Sequence, residues 1–323
     1  MKEILSLSNV TVDYNRNGNI VRAVAGVDLT LKSGEILGLV GESGCGKSTL
    51  GKAIVGILQP SQGEIVFDGQ TVKKLTRGQR PNHFRNLQMI FQDPYGSLNP
   101  RRKIGIQIAD GLLVAGVPKD KALARAEELL EKVGLPRAAV FRFPHQFSGG
   151  QRQRISIARA LAASPTVIIA DEPISALDTS SQAQVANLLV SLVEEFNMGM
   201  IFVSHDLSIV RRISDRVAVM YLGKIVEVGT VDQIWNNPSH PYTKALISAI
   251  PHADGTSFMP KDLPGDVPNP LNPPNGCRFH PRCPLKKSEC EDNEPKLVKL
   301  SDDRSVACIL QKAGTPPNPI LIN

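Results

Sequence analysis

The chain has 323 residues, 41% of them hydrophobic and 21% charged, with 37 Lys+Arg against 31 Asp+Glu for a formal net charge of +6. This composition buries a core and excludes a disordered chain, and the length suits two domains or one large domain with an appendage. No apolar run approaches the ~18 residues of a membrane span, and the start, Met1-Lys2-Glu3-Ile4-Leu5, lacks the basic-then-apolar pattern of a secretory signal, so a location inside the cell is expected.

In chain order, the sequence predicts strands over Ile4–Val12, Val24–Leu31 and Glu35–Val40, parted by Asn-Gly and Ser-Gly turns. Glu64–Phe67 adds another strand, turned by Asp68-Gly69. After Gly41–Ser48 the pattern becomes helical through Leu58, closed by Pro60. Lys119–Val133 places Leu123, Ala126, Leu129, Leu130 and Val133 on one helical face, with Gly134 suited to the left-handed position past its end. Gln151–Ala163 is a second helix, ended before Pro165. Strands and helices then alternate: Val167–Ala170, Ser181–Phe196, Met200–Val203, Leu207–Ile213, Val217–Tyr221. Such alternation implies a largely parallel sheet. Beyond residue 240 prolines accumulate (Pro260, Pro264, Pro268, Pro270, Pro273, Pro274), as in an extended connector.

Gly41-Glu42-Ser43-Gly44-Cys45-Gly46-Lys47-Ser48-Thr49 fits G-x-x-x-x-G-K-[ST] between a strand and a helix. Glycines let successive N–H groups converge on phosphate oxygens, and the helix N-terminus adds partial positive charge. Lys47 is placed to reach the outer phosphates and Ser48 to offer a hydroxyl to Mg²⁺. Cys45 serves as a small residue in the loop. Val167-Ile168-Ile169-Ala170 is a buried strand that delivers Asp171 and Glu172 at its C-terminal end, where open α/β sheets bind ligands. Asp171 is expected to hold Mg²⁺ and Glu172 to orient or deprotonate the attacking water. Ser148-Gly149-Gly150-Gln151 opens the next helix. It is either a plain Ser148 cap or a second anion receptor.

With Phe147 before it, that stretch resembles the signature motif of ABC-type ATPases, whose usual form has Leu at the first position. The resemblance covers about residues 1–240. It implies an α/β fold of the P-loop NTPase class, with a mixed, mostly parallel core sheet, an antiparallel β subdomain and a helical signature subdomain over about 93–165. It also implies that Tyr14 stacks on adenine, that Gln92 touches Mg²⁺, that Asp178 lies in the D-loop and that His205 is the switch histidine near the γ-phosphate. Two such domains would sandwich two ATP molecules, each site combining one P-loop with Ser148, Gly149, Gly150, Gln151 and Asp178 of the other subunit. Ile174 departs from the Thr common after the Glu-Pro pair.

Three further runs resemble the ATP-binding subunits of oligopeptide and dipeptide importers: Phe91–Arg101, Asn237–Thr243 and the tail from Asn272 through Cys277 and the later cysteines. The Leu98-Asn99-Pro100-Arg101 form resembles the second ATPase of a pair. The resemblance implies ATP hydrolysis that energises peptide import, at the cytoplasmic face of the membrane. Expected partners are a sister ATPase, two permease subunits and an extracytoplasmic solute-binding protein, with no nucleic acid. Relatives for nickel, glutathione and sugar oligomers look alike, so another small solute is the alternative. A soluble ABC ATPase acting on DNA or ribosomes would show tandem P-loops or a coiled-coil insertion. A metal-sensing regulator would not keep Lys47, Asp171 and Glu172.

The tail reads Cys277-x₅-Cys283-x₆-Cys290-x₁₇-Cys308 within a Cys-rich extension over residues 241–323. In a reducing compartment such clustering favours a metal over disulfides. The family resemblance implies a 4Fe–4S cluster on these four cysteines, with zinc as the alternative; His280 and His252 are less favoured ligands.

Overall fold

The computed structural model describes residues 2–16, 18–76, 81–250, 265–315 and 320; His252, Pro260 and Pro264 lie outside the described residues. The N-terminal strands β1 (Glu3–Arg16) and β2 (Asn19–Lys32) form a long antiparallel ribbon. Next, β3 (Ile36–Val40), buried along its whole length, leads into α1 (Lys47–Ile54). This helix is shorter than the apolar pattern predicts. Gly56, at φ +79°, bends the chain away, and the Ile57 N–H returns to the Lys52 carbonyl. A left-handed glycine closing the last carbonyls in this way ends a helix whatever apolar residues follow. The strands β4 (Gln62–Phe67) and β5 (Gln70–Thr71) complete a four-stranded antiparallel sheet, β2-β1-β4-β5.

A short strand, β6 (Leu87–Ile90), precedes a helical layer of α2 (Ile104–Val114), α3 (Lys119–Lys132) and α4 (Gly149–Leu161). The helix α3 buries Ala126, Leu129 and Leu130 as its spacing predicts, with Val133 buried just past its end; Ala122 is buried too, whereas Leu123 is only part-buried, and Gly134 beyond has φ +74°. Alternation then resumes with β7 (Val167–Asp171), α5 (Thr179–Phe196), β8 (Gly199–Val203), α6 (Leu207–Ile213) and β9 (Arg216–Tyr221). After β10 (Lys224–Thr230) come α7 (Val231–Asn236) and α8 (Pro241–Ser248), and then the tail elements α9 (Glu289–Asp292), β11 (Val298–Ser301) and β12 (Arg304–Val306).

The second sheet runs β11-β12-β10-β9-β3-β8-β7-β6. Its five strands from β9 to β6 are parallel; β10, β12 and β11 join antiparallel. Both faces of the parallel part are covered, and so β3, β7 and β8 are continuously apolar up to their ends. The P-loop follows β3, and Asp171 closes β7. The mostly parallel core, the antiparallel sheet and the helical layer are as the sequence predicts.

The tail adds two strands to this sheet through β12–β10 pairing, Glu227 opposite Val306. The Arg304 Nη2–Glu227 Oε1 pair, 2.9 Å apart, is buried beside that seam. Glu227 also accepts from the Ser239 and His240 N–H groups, at 2.8 and 2.9 Å. Phe279 packs into a ring cluster with Tyr221 and Tyr242, centroids 5.3 and 5.4 Å away. Among the described residues, no helix is long and apolar enough to cross a membrane.

Candidate active site

The phosphate loop is shaped by close approach. Gly41 and Gly46 have φ of +152° and +110°, and Cβ atoms there would lie 2.1 Å from the Met220 carbonyl oxygen and 2.2 Å from that of Ala23. Gly44, at φ +78°, supplies the remaining left-handed step. Backbone crowding of this kind admits only glycine. Ser43 and Gly44 face solvent, whereas Cys45 is buried, its thiol pushed up by burial. Lys47, buried at the start of α1, donates from Nζ to the Gly41 and Glu42 carbonyls at 2.8 and 3.1 Å. Tyr14, 38% exposed, stands beside the loop with its hydroxyl 3.3 Å from Thr49 Oγ1.

Ser48 Oγ donates to Asp171 Oδ1 at 2.8 Å and ties the loop to the end of β7. Burial pushes the Asp171 carboxyl up, against the pull of Ser48 and of the nearby Lys52 and Lys47. A hydroxyl and a carboxylate side by side are oxygen donors of the kind Mg²⁺ takes, so the pair fits the metal that ATP carries. Next in sequence, Glu172 has φ +44°, and its N–H is held by the Val203 carbonyl at 3.0 Å. This strained turn redirects its side chain. Glu172 Oε2 then meets Gln92 Nε2 at 2.9 Å and His205 Nδ1 at 3.4 Å. Lys47, Ser48, Gln92, Asp171, Glu172 and His205 are thus brought together from four separate chain segments.

Ser148 and Gln151 are exposed and form a capping box at the start of α4: Ser148 Oγ accepts from the Gln151 N–H at 3.3 Å, and Gln151 Oε1 accepts from the Ser148 N–H at 3.0 Å. Asp178 caps α5 by accepting from Ser180 and Ser181, which hold its carboxyl far below the usual range. The two caps are neighbours, since a Cβ on Gly150 would lie 3.4 Å from Ser181 Oγ. Among the described residues, no hydrogen bond or ion pair joins Ser148–Gln151 to Gly41–Thr49 within the chain.

Comparison with known proteins decides the family. A family model described as "ABC transporter" matches residues 24–175, and one described as "Oligopeptide/dipeptide transporter, C-terminal region" matches residues 226–290. The chain is 47% identical over 302 residues to the oligopeptide transport ATP-binding protein AppF of Bacillus subtilis, covering 92% of each chain. It is 45% identical over 316 residues to the di/tripeptide transport ATP-binding protein DppF of Pseudomonas aeruginosa, covering 95% of this chain and 98% of that one. This chain belongs to the peptide-transport ATP-binding subunits of the ABC family.

Among solved structures, the ATP-binding cassette MJ0796, described as a dimeric post-hydrolysis state bound to ADP and Pi, superposes on this ABC subunit with a TM-score of 0.64 at 30% identity, over 71% of this chain and 99% of that one. The cbiO1 subunit of Clostridium perfringens gives 0.63 at 28% identity, over 73% and 92%. The chain is accordingly an ABC-type ATPase subunit.

The structure also shows site residues that the sequence did not single out. Glu42, inside the P-loop, donates its N–H to the Tyr242 hydroxyl at 3.0 Å, and its carboxylate takes both Nη atoms of Arg282, at 2.8 and 3.1 Å. The partners are 200 and 240 positions away, so no local pattern signals them.

Cys277, Cys283, Cys290 and Cys308 all line one small cavity, with His280 and Leu310 on its wall. Burial raises the Cys277 thiol, pushes Cys283 up to about 11 and Cys308 up to about 12. Among the described residues, no three His, Cys, Asp or Glu side chains form a group that could hold a metal ion as they stand. Four thiols around one cavity are a donor set of the chemistry that either zinc or an iron–sulfur cluster takes. His280 Nδ1 lies 3.0 Å from the Cys277 carbonyl oxygen.

Proposed function

We propose that this subunit hydrolyses ATP to energise the import of di- or oligopeptides through a membrane ABC transporter. One observation carries the chemistry: the Glu172 carboxylate sits between Gln92 and His205, at the end of the strand whose Asp171 holds the P-loop Ser48. The peptide cargo rests on the names of the relatives. The boundaries we favour are a nucleotide-binding domain over 1–240, its helical subdomain over about 93–165, and an extension over 241–323.

In this reading Lys47 and the backbone N–H groups of Gly41–Thr49 cradle the phosphates of ATP. Tyr14 supports the adenine. Ser48, Asp171 and Gln92 would hold Mg²⁺, which would supply charge neutralisation at the outer phosphates. Glu172 orients the attacking water as general base, and His205 contacts the γ-phosphate. Positioning and charge account for most of the rate in phosphoryl transfer. Ser148–Gln151 and Asp178, which cap neighbouring helices with Ser148, Gln151 and Asp178 exposed, would serve the ATP of the facing subunit. The further partners are a sister ATPase, two permeases and an extracytoplasmic solute-binding protein, with this chain peripheral at the cytoplasmic face.

Co-purification of the assembled complex followed by peptide uptake tests the function. Uptake of labelled dipeptide that needs ATP and stops with Lys47→Ala supports it. A complex that moves nickel or glutathione but no peptide overturns the cargo. A second prediction concerns Tyr14. Replacing it with Ala should weaken ATP binding by about 5- to 150-fold, because a stacked ring contributes ~1–3 kcal/mol per base. Tyr14→Phe loses only the Thr49 contact and should stay within about twofold. A nucleotide titration of both variants measures the difference.

For the tail, we propose that Cys277, Cys283, Cys290 and Cys308 hold a 4Fe–4S cluster that keeps the segment folded. The shared cavity supports this, and the group takes no part in the hydrolysis. Anaerobically purified protein is expected to be brown and to carry about four iron atoms per chain. Colourless protein with one zinc per chain would establish the alternative.

A further inference from the structure

We propose that Arg282 is a positioning residue for the nucleotide site: by clamping Glu42 it makes the order of the cysteine-bearing tail a determinant of ATP affinity. This rests on the ATP-site reading of the P-loop above.

Glu42 is held at three points. Its N–H goes to the Tyr242 hydroxyl at 3.0 Å, its carboxylate takes Arg282 in a fork, and its carbonyl accepts from Lys47 Nζ at 3.1 Å. The first two anchors come from residues past 240, and the third is the lysine that meets phosphate. The fork is buried: the side chains of Arg282 and Glu42 are 4% and 19% exposed. Arg282 Nη1 also reaches the Tyr221 hydroxyl at 3.4 Å. A planar guanidinium bridging both carboxylate oxygens fixes distance and orientation together, which a lone ammonium cannot do.

The clamp has shape only if the tail has shape. Arg282 ends the single turn His280–Arg282, between Cys277 and Cys283. That turn closes through Arg282 N–H to the Phe279 carbonyl at 3.0 Å and Cys283 N–H to that of His280 at 3.3 Å. Phe279 is anchored among Tyr221 and Tyr242. Pro270, Pro273 and Arg278 also line a small cavity together with Gly44 and Cys45. The tail therefore braces the P-loop through the Arg282 fork and lies close to it at this cavity. A phosphate cradle must hold its geometry within ~0.5 Å to work, so the brace acts on affinity.

The test measures MgATP binding by the full chain and KM against kcat in the assembled complex. Arg282→Met is expected to weaken ATP binding about tenfold, and Arg282→Lys by an intermediate factor. KM should rise with kcat nearly unchanged. Cys277→Ser, which loosens the turn from its other end, should weaken binding by a similar factor. In a Glu42→Gln background, Arg282→Met should add less than about twofold, because both changes act through one contact. Binding by Arg282→Met within about twofold of the parent overturns the proposal, as does a tail that becomes protease-sensitive in Cys277→Ser while ATP affinity stays fixed. Should Arg282→Met fail to fold, Glu42→Gln alone decides by the same criterion. Lys47→Ala serves as control: if neither it nor the parent binds ATP, the site reading itself fails, and the clamp with it.

Discussion

Glu172→Gln should leave ATP bound and lower turnover by about 10²- to 10⁴-fold, the range for losing a general base. The change is isosteric. The amide can keep a hydrogen bond to Gln92, now 2.9 Å from Glu172 Oε2, and the unusual backbone at φ +44° is unaffected by the side-chain tip. It removes only the negative charge and proton affinity beside the attacking water. Lys47, Ser48 and Asp171 stay in place, so nucleotide affinity should change by less than about threefold. Phosphate release by the assembled complex, with a parallel ATP titration, measures both. Turnover within a factor of about three of the parent would move the base elsewhere. A simultaneous loss of binding would mean that Glu172 is structural.

Arg304→Met should cost about 3–5 kcal/mol of stability, the penalty for leaving one member of a buried pair alone. Arg304 and Glu227 are 4% and 0% exposed, and the carboxylate is also committed to two backbone N–H groups. Removing the guanidinium strands the negative charge next to the β12–β10 seam. Adding Glu227→Gln should restore only part of the loss. The neutral amide no longer needs a cation, but its single oxygen can accept from only one of the Ser239 and His240 N–H groups, which the carboxylate takes on separate oxygens. The midpoint of chemical denaturation for the single and double variants reads this directly. A single variant within about 1 kcal/mol of the parent would show that the pair adds nothing net.

Legibility in the sequence tracked locality. The P-loop was readable because its glycines, Lys47 and Ser48 are consecutive and sit between an apolar strand and a helix. Asp171 and Glu172 were readable because a five-residue buried strand delivers them. The helix α3 showed itself through a clean stripe. By contrast α2 was missed: its run Ile104-Gly105-Ile106-Gln107-Ile108 alternates like a strand, and two glycines lower its helical signal. Gly105 is there for packing, since a Cβ would lie 2.8 Å from Val140 Cβ. The hairpin β11–β12 did carry a signal, Val298 and Leu300 alternating ahead of Asp302-Asp303, hidden by the charged residues around it. The Glu42–Arg282 fork had none. It joins two ordinary-looking residues through the packing of a ring cluster, and nothing local distinguishes either of them. Ser148 was ambiguous for a physical reason: the same hydroxyl that caps a helix stands where an anion would be received.

The order in which the sheet's strands are synthesised has a consequence for how the chain is made. Strand β10 leaves the ribosome roughly 75 residues ahead of β12, the strand that covers it, a delay of about 4–15 s at ordinary translation rates. During that interval the nascent protein carries an open lateral row of amides and carbonyls and an acidic side chain awaiting its counter-ion. A chain stalled or clipped before Arg304 keeps that exposed flank for good, and such a product should be handed to chaperones or self-associate instead of joining a complex.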